Sequence, residues 1–338
     1  MKAAIVKEFK DPLVIEDAPN PQPADDEVLI KVEACGVCHS DLHLAEGDWS
    51  QMNKIVKKPL ILGHEVVGRV IATGDAVEHL KVGDRVGVAW IHWACGECEI
   101  CLEGNENMCP KQMISGATVD GGYAELMTAK ASHALKVPDN LSSEEAAPLF
   151  CAGVTVYRAL KHAQIKPGQR VAIFGIGGLG HLGVQIAKAM GGEVIAVDVN
   201  DEKLEFAKAL GATHTINAAT EKTAPAIQKL GGAHVAVVTS AAKAAYDTAF
   251  YSLRAGGTIV VVGLPAESLT FPAIAMVARE ARVIASAVGT RQDLREILNL
   301  AATGKVKCKI ETRPVETINE IFDEMRQGKI SGRVVLKF

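Results

Sequence analysis

Arg170-Val171-Ala172-Ile173-Phe174-Gly175-Ile176-Gly177-Gly178-Leu179-Gly180 is the stretch on which the fold turns. Its first five residues form a short apolar run of strand character. Gly175, Gly177 and Gly180 then keep the G-x-G-x-x-G spacing, and a helical pattern runs from Leu179 to Met190. Strand, glycine turn and helix, in that order, let backbone amides approach a pyrophosphate held at a helix N-terminus. Alone, the glycines would be no more than a tight turn. Their place between strand and helix makes the case for a dinucleotide.

Working outward, the same alternation continues. Strands are expected at Arg170 to Phe174, Glu193 to Asp198, Thr213 to Ile216, Val235 to Thr239, Thr258 to Val262 and Val283 to Ser286. Helices are expected at Leu179 to Met190, Asp201 to Leu210 and Ala241 to Leu253, the second opening at an Asn200-Asp201 cap and stopping before Gly211. Apolar strands alternating with helices indicate a parallel sheet, and six strands complete a doubly wound Rossmann α/β domain. Asp198 ends the second strand, where a carboxylate can hydrogen-bond both hydroxyls of an adenosine ribose and would repel a 2′-phosphate. This favours NAD over NADP. The competing reading of Asp198 is a helix cap placed two residues early.

Before this domain the pattern differs. From Met1 to about Pro148, short alternating apolar stretches are broken by Gly, Pro and Asp, with strands expected at Val28 to Val32, Val66 to Ala72 and Arg85 to Ala89. That describes a β-rich domain. The tail from Val306 to Phe338 returns to β-like stretches with a short helix near Ile318 to Met325, following a helix at Arg291 to Thr303, and is expected to rejoin it. The expected organisation is therefore residues 1–152 with 289–338 as one domain and 153–288 as the dinucleotide domain.

The chain has 338 residues, enough for two hydrophobic cores. Net charge is −4, and Lys and Arg are scattered, which argues against nucleic acid or an anionic membrane as partner. No apolar run approaches bilayer length. The start, Met1-Lys2-Ala3-Ala4-Ile5-Val6-Lys7-Glu8, lacks the apolar region of a secretory signal, so the cytoplasm is the expected location.

Eight cysteines carry the remaining chemistry. Cys95, Cys98, Cys101 and Cys109 follow Cys-x2-Cys-x2-Cys-x7-Cys in a loop with Gly96, Gly104 and Pro110 and no hydrophobic period. Zn²⁺ takes four tetrahedral thiolates in sites that hold structure, and such a loop needs a staple. Disulfides suit it poorly, because the repeats crowd four sulfurs together. Its neighbours Glu97, Glu99, Glu103 and Glu106 would repel phosphate, against a zinc-ribbon nucleic-acid module. Cys38, His64 and Cys151 could form a second, catalytic zinc site of three protein ligands with an open fourth position. Spacing leaves open that these cysteines are small buried hydrophobes.

Taken together, Cys35-Gly36-Val37-Cys38-His39-Ser40-Asp41, Gly63-His64-Glu65-Val66-Val67-Gly68, Gly83-Asp84-Arg85-Val86, the four-cysteine lobe, Asp120-Gly121-Gly122-Tyr123-Ala124-Glu125, Cys151-Ala152-Gly153-Val154-Thr155 and the glycine loop resemble the zinc-containing alcohol dehydrogenases of the medium-chain dehydrogenase/reductase superfamily, most closely the tetrameric microbial type. The resemblance covers essentially the whole chain. It implies a GroES-like catalytic domain, NAD, two zinc ions per chain, a small alcohol or aldehyde substrate, a homotetramer, and an active site in the cleft between the domains. It implies that Cys38, His64 and Cys151 hold the catalytic zinc, with Glu65 an occasional ligand or close neighbour and Asp41 orienting the imidazole. It also implies that His39 and Arg333 contact the pyrophosphate, Lys203 the ribose and Thr155 the nicotinamide side. Ser40 and His43 would carry the proton out, and Trp49 and Trp90 would narrow the substrate pocket. Polyol, formaldehyde and aromatic alcohol dehydrogenases of the same superfamily share the ligands and differ in pocket lining; a zinc-free quinone or enoyl reductase would lack them.

Overall fold

In the computed structural model, which describes all 338 residues, six parallel strands build one sheet. Their spatial order is His214–Asn217, Glu193–Asp198, Arg170–Phe174, Ala233–Val238, Leu253–Val261, Arg282–Ala285, which is the doubly wound order with the strand before the glycine loop at its centre. Arg170–Phe174 pairs on one side with Glu193–Val197 and on the other with Val235–Val238, so its C-terminal end lies where the strand order reverses. Helices cover this sheet, and Val171, Ala172 and Ile173 are completely buried, as expected for a parallel strand. The Asn200 side chain accepts the Lys203 N–H at 3.1 Å, so Asn200 and not Asp198 caps the helix Asp201–Ala209.

Three helices of this unit escaped the sequence reading. Ala152–His162 begins directly after the Cys151 motif, Thr223–Lys229 contains Pro225, and Ala273–Arg279 buries none of its residues. The last is apolar nearly all round, with Ala275 and Met276 partly buried against the sheet, so it shows no apolar period to read.

The chain divides into two units, Met1–Cys151 with Thr290–Ala302 and Cys308–Phe338, and Ala152–Gly289 with Thr303–Lys307. Thr303–Lys307 packs with the second unit because Gln185 clasps it: Gln185 Nε2 donates to the Lys307 carbonyl at 2.9 Å, and the Lys307 N–H donates to Gln185 Oε1 at 3.0 Å.

The first unit is built on Glu27–Gly36, a long strand whose residues pair with Val66–Thr73 along one edge. Its other edge pairs Glu27–Lys31 with Leu126–Lys130 and Ala34–Gly36 with the C-terminal strand Arg333–Lys337. Val28, Ile30 and Val32 point inward with Val66, Val70, Met127 and Leu336 to form one core, each such side chain contributing about 1.5–3 kcal/mol relative to exposure. The helix Ile318–Arg326 closes that core with Ile318, Ile321, Phe322 and Met325. No helix in the chain is long and apolar enough to cross a membrane.

Candidate active site

Three separate elements of the first unit deliver the metal-binding residues to one place. Cys38 sits at the N-cap of the helix His39–Glu46, His64 follows the short strand Leu60–Ile61, and Cys151 ends the turn Ala147–Phe150. Ligand atoms of Cys38, His64, Glu65 and Cys151 all lie within 4.8 Å of one another, and all four residues are buried. The Cys38 and Cys151 sulfurs are 3.9 Å apart. Two thiolates on a tetrahedral zinc stand about 3.8 Å apart, given Zn–S bonds of about 2.3 Å.

Asp41 organises the cluster from one helical turn away. Its Oδ1 lies 2.9 Å from His64 Nδ1, and its Oδ2 accepts the Cys38 N–H at 2.9 Å and the Tyr123 hydroxyl at 2.8 Å. With Nδ1–H given to Asp41, the tautomer consistent with this geometry presents the Nε2 lone pair to the cluster, and that buried Nε2 has no partner within the protein. A fully buried nitrogen without a partner, aimed at two sulfurs, fits a metal ligand. Burial would weaken the imidazole as a base, but the Asp41 carboxylate overrides it and raises the His64 pKa well above its ordinary value. Between the sulfurs, the hydrogen bond from Cys151 pulls Cys38 well down and pushes Cys151 well up. A coordinated zinc removes that proton outright.

Glu65 lies behind the cluster, ion-paired with Arg333. Burial pushes Glu65 up to about 7 against the pull of Arg333, and its Oε2 is left without a partner. Arg333 is itself buried, with its Nε unpaired. His39 is exposed at the helix start, and Ser40 is half-exposed beside it. Trp90 stands edge-on to His64, ring centroids 4.9 Å apart and planes at 90°. Trp49 lies instead against His43, centroids 5.2 Å apart.

The second cluster is the lobe. Ligand atoms of Cys95, Cys98, Cys101 and Cys109 lie within 4.8 Å of one another, with Cys95 Sγ 3.9 Å from Cys101 Sγ and 3.5 Å from Cys109 Sγ. None of the four forms a disulfide. Backbone N–H groups of Glu97 and Cys98 bring Cys95 down to about 6, favouring the thiolate a metal needs. Four sulfurs and no open position make a structural site.

In the other unit, Asp198 reaches back to the glycine loop. Its Oδ2 accepts the Ile176 N–H at 2.6 Å, and its Oδ1 accepts the N–H groups of Val199 at 2.8 Å and Asn200 at 3.1 Å. Gly175 has φ +90°, and a Cβ on Gly180 would fall 1.8 Å from the Gly175 carbonyl oxygen, so the fold itself demands both. A Cβ on Gly177 would meet nothing within 4 Å. The protein alone does not require that glycine, and the open space beside it fits a backbone that a pyrophosphate approaches. Lys203 is half-buried in the next helix, Gly178 and Leu179 are half-exposed in the loop, and Thr155 is half-exposed on Ala152–His162.

Two contributors went unread in the sequence. Thr239 donates its hydroxyl to the Gly175 carbonyl at 2.7 Å, clamping the glycine turn from the neighbouring strand end, and Tyr123 supplies the second side-chain contact to Asp41. The only signal for Tyr123 was its place in the Asp120-to-Glu125 motif; Thr239 had none.

Comparison with known proteins agrees with this geometry. Residues 24–139 match the Alcohol dehydrogenase GroES-like domain family, and residues 178–303 match the Zinc-binding dehydrogenase family. An alcohol dehydrogenase of Geobacillus stearothermophilus is 53% identical over 338 residues, covering 100% of this chain and 99% of the relative. The chain belongs to the zinc-containing medium-chain alcohol dehydrogenases. An alcohol dehydrogenase of Moraxella sp. is 48% identical over 100% of this chain and 99% of its own length. Among solved structures, the alcohol dehydrogenase of the archaeon Aeropyrum pernix superposes with a TM-score of 0.92 at 36% identity over the whole of both chains. The chain is thus an oxidoreductase acting on alcohols, with one catalytic and one structural zinc site.

Proposed function

We propose that the enzyme oxidises small primary alcohols to aldehydes, reversibly, with NAD in preference to NADP. The observation that carries the size preference is the Trp90 indole standing perpendicular to His64, one of the residues that converge on the metal site. When bound, zinc supplies a Lewis acid that eases loss of the alcohol proton, and NAD supplies the hydride acceptor. Cys38, His64 and Cys151 hold the metal, with Glu65 its close neighbour; Asp41 fixes the His64 ring. Ser40 and His43 carry the proton outward, and His43, half-exposed, can exchange it with water. Asp198 and Lys203 bind the ribose, Thr155 the nicotinamide side, and His39 and Arg333 the pyrophosphate. Trp90 and Trp49 narrow the pocket.

The protein is proposed to act in the cytoplasm as a homotetramer. Ile274 and Val277 are 88% and 79% exposed on the outer side of a helix whose Ala275 and Met276 pack against the sheet core, and the strand Arg282–Ala285 that follows it has an unpaired edge. An apolar patch beside an open strand edge suits a second copy of the chain.

Steady-state kinetics on a panel of alcohols with both cofactors tests the substrate reading. Ethanol to butanol should turn over well with NAD, branched secondary alcohols poorly, and NADP about a hundredfold less efficiently or worse. Trp90→Ala should improve kcat/KM for bulky alcohols relative to ethanol by about tenfold. An unchanged ratio across the series would remove Trp90 from the pocket.

A further inference from the structure

The helix that begins at Cys38 ends at Gly47, and the chain there does something the metal cluster does not require. Gly47 adopts a left-handed conformation, φ 68° and ψ 31°, and a Cβ at that position would press on the Phe9 ring at 3.0 Å. Asn53 Nδ2 donates to the Gly47 carbonyl at 2.7 Å and pins the turn. The chain is thereby folded back, so that the Asp48 N–H donates to the His43 carbonyl at 3.1 Å and Asp48 Oδ2 comes to 2.7 Å from His43 Nδ1. Trp49, the next residue, lays its ring against the same imidazole.

We infer that Asp48 is a positioning residue for proton transfer, holding His43 in the tautomer and orientation that leave Nε2 as the proton acceptor. The inference rests on the reading of His43 as the proton exit. A neutral imidazole has one N–H and one lone pair, and the hydrogen bond made by one nitrogen decides which role the other takes. A carboxylate can only accept, so Nδ1 carries the hydrogen and Nε2 the lone pair. Nε2 then takes the proton that leaves the alcohol through Ser40 and passes it to water, while Nδ1–H stays on Asp48. No proton resides on Asp48 at any stage.

The surrounding charges are compatible with this assignment. Glu46 also has a carboxylate oxygen within 4.8 Å of the pair's ligand atoms, and its Oε1 accepts from Arg326 Nε at 2.6 Å, while Arg326 Nη1 donates to Asp323 at 2.5 Å. Glu46 is thus engaged by Arg326, and the imidazole Nδ1 takes Asp48 as its partner instead. His39 lies one turn earlier on the same helix. The His43 and Asp48 side chains are 36% and 44% exposed, and an exposed pair of this kind contributes little to stability. Its effect belongs to the proton path.

The test uses zinc-loaded enzyme oxidising ethanol with NAD near neutral pH, at increasing concentrations of a morpholine buffer whose base form can accept a proton. Asp48→Ala should lower kcat/KM by about tenfold, a fraction of what a well-placed general base contributes, and the buffer base should restore part of the loss. Wild-type turnover should not respond to the buffer. Asp48→Asn keeps an acceptor oxygen at the same reach and should recover most of the activity. His43→Gln should be slow and buffer-responsive, and adding Asp48→Ala to it should cost nothing further.

Each contrary result is informative. Normal kcat/KM in Asp48→Ala alongside a slow His43→Gln overturns the role of Asp48 and leaves His43 in place. A fast, buffer-insensitive His43→Gln overturns the reading of His43, and the inference with it. Asp48→Asn as slow as Asp48→Ala, or a loss of zinc or melting temperature in Asp48→Ala, would also sink it.

Discussion

The place of Asp198 at a strand end, at the distance from the glycines where a ribose residue is expected, is legible in the sequence; its contact with the Ile176 N–H is not. That contact joins two segments brought together only by the parallel pairing of their strands. Thr239 is a parallel case: a threonine at a strand end carries no sequence signal for the carbonyl it will bind. The physical consequence is that Asp198 supports the glycine loop, in addition to the ribose role proposed for it. Asp198→Ala should relax the preference for NAD over NADP, yet it should also weaken both cofactors, because three backbone N–H groups lose their acceptor at a cost of about 1–3 kcal/mol if they stay dry. We expect the KM for NAD to rise about tenfold, the affinity equivalent of about 1.4 kcal/mol, with a lower melting temperature. Wild-type KM for NAD in this variant would show that the loop holds itself.

The four-cysteine lobe and the catalytic cluster are elements of opposite legibility. In the lobe every ligand is local, so spacing alone indicated a closed zinc site. The catalytic ligands come from a helix cap, a post-strand loop and a turn, so residue types alone offer them as one possible site among buried cysteines and the resemblance to a family favours it, while the structure brings them together. What anchors the lobe was not legible at all. Glu106, within it, accepts from Arg291 through Nε at 3.0 Å and Nη2 at 2.5 Å, and from the Arg291 backbone N–H at 2.8 Å. Arg291 begins the helix Arg291–Ala302, far along the chain, with Thr290 and Asp293 capping it reciprocally at 3.0 and 3.2 Å. The lobe thus depends on two fastenings, zinc and this ion pair. Cys101→Ser should lose the structural zinc, leaving about one zinc per chain by elemental analysis, and should lower the melting temperature while retaining turnover in protein still folded. Cys38→Ser should do the reverse. Two zincs per chain in Cys101→Ser would exclude that sulfur as a ligand.

Across the whole molecule, two buried histidines outside the catalytic site, His133 and His92, contribute to the response to acid. His133 reads in sequence as an ordinary surface or core histidine, and it is buried: its Nε2 accepts the Ala94 N–H at 3.2 Å, next to the first lobe cysteine, and its Nδ1 lies 2.9 Å from the Ser132 hydroxyl. Burial and then the Arg291 charge bring His133 down to about 4, and burial brings His92 down to about 4 as well. Both are neutral when folded, whereas an unfolded chain protonates them near pH 6.5. Between about pH 6.5 and 4 the unfolded state binds more protons, so stability is full above that window and falls as pH drops through it. Glu106, held below its ordinary value by Arg291 despite burial, acts in the same direction at the acid end. The combined loss should be on the order of a few kcal/mol by pH 4. Acid also protonates zinc thiolates, so the informative quantity is a difference between proteins. His133→Gln keeps an acceptor for the Ala94 N–H but cannot titrate. Urea unfolding from pH 8 to 4.5 should show a shallower decline for this variant than for wild type, and identical slopes would assign the acid sensitivity to the metal sites.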